Sequence, residues 1–455
     1  MMKKIIIAVV FILNSAFFLK ARQQQDQPLK LIYREAVKIA LENNFNLNQQ
    51  KNNLISSQVQ KNQSIAAFLP NFYIQGSASH TDGQQPNPDG GDLMNLSVDN
   101  VNANIQTGVM IFNGFNRINT LNQMNNQFKA QSSFVKRSEQ EVVFNVTTQY
   151  LQVLLDQELL RIAEGTHRVQ NVLLNQLREQ VNVGARAEAD LYTQDAQVRN
   201  LEVTALQSKV TLENDKALLA QTLQLDPGIP VEVQFPAIEN TLDITSLSLD
   251  SLYSVALDNR EDLRQAEYQA KTNLYAYKAS ANGFLPSVSL FASYGSQYIS
   301  TLKERPLYGN FNNQFTTVFP SVSYGVNVTI PIFDRLVTRN KRVLNKVIYD
   351  NSKLQRDNVE KTIKIDVKRT YNNYLTALQS YQASQVQIQA GELALRTQQE
   401  SFILGVASQV ALAQANQTYV QAAASKAQAE VTLLFQQMLM EYALGTLSVD
   451  SFEDQ

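Results

Sequence analysis

The chain repeats itself at long range. Phe68-Leu69-Pro70 returns as Phe284-Leu285-Pro286, an offset of 216 (284 − 68). Upstream, the same offset sets Ala40-Leu41-Glu42-Asn43 against Ala256-Leu257-Asp258-Asn259, and Leu47 against Leu263. Downstream the offset becomes 221 (333 − 112), pairing Phe112 with Phe333, Tyr150 with Tyr371, Gly184 with Gly405 and Leu223 with Leu444. A unit this long is no short-period solenoid; it predicts two structural halves, each of which can be read against the other. The copies are expected at 30–225 and 247–447. A Pro-rich linker at 226–246 joins them, and a short tail at 448–455 follows.

Within each copy, proline marks what can be helix. None occurs from Asp89 to Asp226, and none from Ile332 onward. Proline is costly inside helices, so these tracts have room for long ones. Apolar residues recur there at helical spacing, as in Val143, Val146, Tyr150, Val153 and again in Ile363, Val367, Tyr371, Tyr374. Gly184 and Gly405 interrupt the two tracts at matching positions, as a glycine just past a helix end does. The expectation is two helical hairpins, 120–223 and 336–443, turning at these glycines. A helix of about 60 residues would extend about 90 Å, which implies a rod or a helical tube. Segments 31–67 and 247–283, also helical by pattern, open each copy.

Between the opening helix and the hairpin lies a pair of alternating segments: 71–81 with 101–113, and 287–298 with 320–333. Val322-Ser323-Tyr324-Gly325-Val326-Asn327-Val328 alternates without error, and Val101, Ala103, Ile105 and Val109 alternate with Asn102, Asn104, Gln106 and Gly108. Period-two alternation is the mark of a strand with one apolar and one polar face. Each segment has about the length of a tilted membrane-crossing strand. The soluble alternative is the edge of a β-sandwich. Against it stand a polar set of Asn, Gln, Ser, Thr and Gly without charge, and the lack of helices suited to cover four such strands. Four strands cannot close a membrane barrel, whose smallest form has about eight. An open edge in lipid has no partners for its backbone groups, so membrane strands require more than one chain. The polar connections at 82–100 and 299–317 read as exposed loops. Tyr73, Tyr294 and Tyr324 have two readings, bilayer-interface anchors or packing residues.

Composition narrows the chemistry. Lys+Arg 39 and Asp+Glu 41 nearly cancel, and nothing points to nucleic acid. Cysteine is absent, which excludes disulfides and thiolate chemistry. The two histidines, His80 and His167, are far apart and read as surface or packing residues. No phosphate-binding loop or metal-spaced cluster occurs. Glu261-Asp262 reads as a solvated helix face. The expectation is a non-enzyme without cofactor or metal. At the N-terminus, Lys3 and Lys4 precede an apolar run from Ile5 to Phe18, the layout of a signal peptide over 1–22. An uncleaved anchor is the alternative.

These features together resemble the TolC family of outer-membrane efflux proteins. The resemblance spans about 30–447 and rests on the order of several motifs. Among them are Ala40-Leu41-Glu42-Asn43-Asn44, the duplicated Phe-Leu-Pro, Pro331-Ile332-Phe333-Asp334 after a strand, Tyr150-Leu151, and Val183-Gly184-Ala185. It implies a mixed α+β membrane protein, mainly α and internally duplicated. Four transmembrane β-strands per chain would complete a twelve-stranded barrel in a homotrimer, continued by a long periplasmic α-helical barrel. It further implies a passive exit duct for a tripartite efflux system, set in outer-membrane lipid and working with a periplasmic adaptor and an inner-membrane transporter. A duct for type I protein secretion has the same architecture, and a periplasmic coiled-coil scaffold is a further alternative. By the same resemblance the adaptor docks on the hairpin tips, Val183, Gly184, Ala185 and Leu404, Gly405, Val406. The periplasmic gate maps to Asp190, Asp195 and Gln414. Asp190 lies six residues after Gly184, whereas Ala411 holds the matching place in the second copy, so the acidic ring is halved. The plain alternative is that Glu188, Asp190 and Asp195 are acidic residues favoured by a helix start.

Overall fold

The computed structural model describes residues 29–86, 90–226, 229–234, 248–303 and 305–447. The expected signal peptide, the tail and most of the linker lie outside the described residues. The chain is mostly helical. It divides into two units, one of 1–52, 133–263 and 358–455, the other of 53–132 and 264–357.

The first unit is built on helices meeting at heptad spacing. Helices α1 (Tyr33–Asn43) and α2 (Phe45–Ala66) open the first copy. Helices α3 (Asn116–Asn182) and α4 (Glu188–Thr222) form its hairpin. Their counterparts are α5 (Leu249–Asn259), α6 (Glu261–Ala281), α7 (Val337–Ile403) and α8 (Gln409–Leu444). Among the buried residues of α7 are Ile363, Val367, Thr370, Tyr374 and Ala377, in steps of four and three that keep one seam turned toward its partner. Ile363, Val367, Tyr374 and Ala377 pack with Leu252, Ala256, Leu433, Met440 and Ala443 in one core. Each opening helix breaks at matching places, Asn44 and Arg260. Asn44 Oδ1 accepts from the Leu47 amide at 2.9 Å and restarts the helix. Arg260 is buried, pairs with Asp262 at 2.5 Å and donates to the Ala443 carbonyl at 3.3 Å, near the end of α8. Glu261 is also buried and lies 3.5 Å from Lys136. The solvated-face reading of Glu261-Asp262 is therefore corrected: both carboxylates are part of a packed ionic junction, which local charge spacing does not reveal.

Strand β1 (Leu29–Leu31) pairs in parallel with β4 (Val231–Val233), from the linker. Tyr150 fixes this ribbon to α3. Its hydroxyl donates to the Gln234 carbonyl at 2.6 Å and lies 3.2 Å from the Leu31 carbonyl.

The second unit contains a four-stranded antiparallel sheet of β2 (Asn71–Pro86), β3 (Leu93–Asn113), β5 (Ser287–Ile299) and β6 (Ser321–Thr329), in the order β2-β3-β5-β6. Here the two copies join, since β3 pairs with β5. Register places cross-strand partners on one face. Ile74↔Ile105, Ile105↔Tyr294 and Tyr294↔Val322 continue one apolar row across all four strands. The neighbouring row, Gln75↔Asn104↔Gly295↔Ser321, is polar. A bulge between Met110 and Phe112 re-aims the end of β3.

Strands β2 and β3 run beyond the segments expected from alternation, so the loop reading is corrected for 82–86 and 93–100. Polar cross-strand pairs replace the apolar ones there. His80 Nδ1 lies 2.6 Å from Asp99 and Nε2 lies 3.1 Å from Asp82. Strand β6 stops at Thr329, short of the expected 333, because Pro331 has no amide to give the ladder. Within 299–317, likewise, stand a turn at Ser300–Leu302, a helical turn at Phe311–Asn313 and a wider turn at Gln314–Val318.

The strand-to-helix corners match in the two copies. Asn113 Oδ1 accepts from the Arg117 amide at 3.2 Å, and Asp334 Oδ2 accepts from the Thr338 amide at 2.7 Å, each capping a long helix. Gly114 and Phe115 have φ near +62°, and Arg335 and Leu336 have φ of 56° and 64°. Only the first corner requires glycine, since a Cβ on Gly114 would lie 2.7 Å from the Asn282 carbonyl oxygen.

Candidate functional site

Two regions are candidate functional sites. The first is the pair of hairpin tips. At the end of α3, the Gly184 amide donates to Val181 O at 2.9 Å and the Ala185 amide to Gln180 O at 2.8 Å. At the end of α7, Gly405 donates to Phe402 O at 3.0 Å and Val406 to Ser401 O at 2.9 Å. This bond pair closes a helix on a left-handed residue, and both glycines have φ of 76°. No atom lies within 4 Å of a Cβ built on either glycine, so conformation and not space requires glycine here. The apolar tip residues point outward: Val183 and Leu404 are each 78% exposed and Val406 82%. Ala185 is exposed as well.

Just past the tips, Arg186 joins the two hairpins. Its guanidinium lies 4.3 Å from the Phe402 ring, and Nη2 donates to the Phe402 carbonyl at 2.8 Å. A cation at the C-terminus of α7 is favoured by the helix dipole as well as by the ring face. Deeper lie Leu177, Phe402 and Leu412 in one small core. Beside them are three buried amides. Gln194 Nε2 donates to the Gln170 carbonyl at 3.0 Å and to its Oε1 at 2.9 Å, and Gln409 donates to Gln194 Oε1. Sequence reading missed Arg186, Gln194 and Gln409. The available signal was the mismatch between the copies, since Ala407 stands where the first copy has Arg186.

The acidic residues expected at the gate differ from one another. Asp190 sits in the first turn of α4, half-buried and without an ion-pair partner among the described residues. Asp195 lies 3.8 Å from Arg199 along the same helix, and Arg199 also pairs with Glu202 at 3.0 Å. Gln414 is exposed in α8. Ser408 caps that helix, accepting from the Ala411 amide at 3.2 Å.

The second region is the polar face of the sheet. It presents Gln75, Ser77, Asn102, Asn104, Ser293, Gln297 and Ser321, which line a hollow of about 630 Å³. Among the described residues of this face there is no carboxylate, ammonium or guanidinium. Tyr73 belongs to this face too, its hydroxyl 2.5 Å from Gln106 Oε1, so the interface-anchor reading fails for Tyr73. Tyr294 and Tyr324 lie on the apolar face and are 53% and 81% exposed. No group of three or more His, Asp or Glu residues suited to a metal occurs among the described residues. No described helix is long and apolar enough to cross a membrane. The apolar face of the sheet is exposed, with Ile74, Tyr294, Val322 and Tyr324 among its uncovered residues.

Comparison with known proteins agrees with this arrangement. The family described as outer membrane efflux protein matches residues 36–224 and again residues 252–446. The chain is 19% identical over 391 residues to the outer membrane protein TolC of Salmonella enteritidis, covering 85% of this chain and 76% of that protein. Its fold is similar to the Campylobacter jejuni CmeC outer membrane channel, with a TM-score of 0.79, 17% identity, and coverage of 91% of this chain and 85% of that one. It is also similar to the outer membrane protein VceC of Vibrio cholerae, with a TM-score of 0.78, 13% identity, and coverage of 91% and 96%. The chain belongs to the outer membrane efflux protein family. It is a TolC-family protein of the outer membrane, and the family consists of efflux channels rather than enzymes.

Proposed function

We propose that three copies of this chain close their sheets into one twelve-stranded barrel and act as the passive exit duct of a tripartite efflux system. The observation that carries this is the four-stranded sheet itself. Its outer strands, β2 and β6, each have one edge with no partner in the chain among the described residues, and one of its faces is apolar and bare. Exposed edges invite pairing, and in lipid they demand it. Pairing β6 of one copy with β2 of the next satisfies both edges and puts the apolar rows toward lipid. The uncharged polar rows then line a wet passage, as twelve strands leave room for. The His80–Asp99 pair on the apolar face marks the upper limit of the lipid band.

The two copies, 30–225 and 247–447, are structural halves of each subunit, and their hairpins continue the duct in the periplasm. An adaptor hairpin docks on the outward Val183, Leu404 and Val406, and an inner-membrane transporter supplies the energy. Arg186 on Phe402 and the Gln170–Gln194–Gln409 amides hold the tips together in the resting state, while Asp190 carboxylates from three chains face the opening. A ring of carboxylates at a constriction favours cations. The test is the native mass of protein extracted in mild detergent from the outer-membrane fraction, corrected for bound detergent. Three chains are expected; a monomer, or protein recovered soluble from the periplasm, refutes the shared barrel.

A further inference from the structure

The connection from β5 to β6, Ser300 to Pro320, is far longer than the two to five residues or so that a hairpin needs. It is also folded. Gln314 is 0% exposed, and both ends of its amide are used. Its Nε2 donates to the Gly309 carbonyl at 2.9 Å, and its Oε1 accepts from the Ile299 amide at 3.0 Å, tying the segment to the end of β5. Asn310 Oδ1 accepts from the Asn313 amide at 3.1 Å, and Asn313 Nδ2 donates to the Tyr308 carbonyl at 2.9 Å. Aromatic rings then grip the sheet from two sides. Phe311 lies 5.1 Å from Tyr298, a residue of the apolar face. Phe319 lines the hollow of the polar face together with Gln75, Asn102 and Gln297, and Tyr308 stacks on Phe319 at 5.7 Å and 20°. A stacked pair held by a buried glutamine is a stiff element, since few rotamers remain to either ring.

We propose that the Tyr308–Phe319 pair is a size-limiting sill at the outer mouth of the conduit, one from each copy, which admits small solutes to the uncharged hollow and excludes bulky ones. This rests on the barrel reading above, which places the β5–β6 connection outside the cell. Because the hollow beneath carries no charged side chain, the sill sorts by bulk, in contrast to the acidic periplasmic end.

The chain has no cysteine, so a single introduced thiol reports access without background. Ser293→Cys puts that thiol in the hollow. Intact cells are treated with a small membrane-impermeant maleimide, or with a maleimide carried on a polymer of kilodalton size. With the rings present, the small reagent is expected to label and the polymer to be excluded. Adding Tyr308→Ala and Phe319→Ala is expected to give polymer labelling equal to that of the small reagent. Gln314→Ala, which frees the segment while keeping both rings, should shift labelling the same way and serves if the double variant fails to reach the outer membrane. Equal labelling by both reagents with the rings intact overturns the sill, as does continued polymer exclusion once the rings or the latch are gone. If the small reagent labels only permeabilised cells, the polar face is not open to the outside. The barrel reading then fails, and the sill with it.

Discussion

Asp156 offers a test of packing in the helical wall. It lies on α3 with 4% exposure, accepts from Gln152 Nε2 at 3.2 Å, and has the carboxyl of Asp215 on α4 as a neighbour. Burial, and then the neighbouring Asp215 carboxyl, raise it from 3.8 to about 7. The sign follows from linkage. Between about 4 and about 7 the folded chain keeps a proton that the unfolded chain releases, so stability falls as pH rises through that window and is level on either side. The difference between 3.8 and about 7 corresponds to at most about 4 kcal/mol per chain, at roughly 1.4 kcal/mol for each tenfold change. Asp156→Asn keeps the shape and removes the charge. We expect little change near pH 4 and a stabilised variant at pH 8, with the gap opening between the two. The assay is the midpoint of heat dissociation of detergent-purified protein from pH 4 to 8, at one heating rate because such unfolding is commonly irreversible. Identical pH profiles for the native and variant proteins, or a native protein that gains stability as pH rises from 5 to 7 relative to the variant, refute the reasoning.

Other outcomes follow from the same geometry. Gly184→Asn should fold, because Asn tolerates positive φ, whereas Gly184→Val should cost about 1–2 kcal/mol locally; both should lose export at normal outer-membrane levels if the tip is the docking point, measured by drug sensitivity. Arg186→Ala should loosen the tips and raise single-channel conductance in bilayers, and Asp190→Ala should do so while lowering cation preference; unchanged conductance and reversal potential would count against the gate. Gly114→Ala meets both a positive φ and the Asn282 carbonyl at 2.7 Å, and should cost about 2–4 kcal/mol, read as a lower dissociation midpoint. Burial would raise the Asp262 carboxyl, but Arg260 outweighs it and holds the group below its ordinary value. That contribution is present above about pH 4 and is lost as pH falls further, through the lowered folded value. Arg260→Ala strands the carboxylate and should cost about 3 kcal/mol near neutral pH, with a smaller penalty in acid.

Several features were legible in the sequence because the backbone imposes their period. The helical spacing of Ile363, Val367 and Tyr374 on α7, the alternation along β6 and the glycine stops at 184 and 405 each follow from local geometry, in which side-chain direction repeats at a fixed step, although the buried seam takes Thr370 beside the expected Tyr371. Long-range identity between the copies added the pairing of Gly184 with Gly405, and with it the family and the outer membrane. Tertiary structure alone decided which distant surfaces meet. Leu29–Leu31 chooses Val231–Val233, and β3 chooses β5, because backbone groups need partners and nothing local names them. The same holds for Arg186 on Phe402, for Gln409 on Gln194, and for Arg260 near the end of α8. Each is a polar residue whose spacing looks like that of a solvated face. Its role appears only when folding removes water from it and leaves one partner within reach.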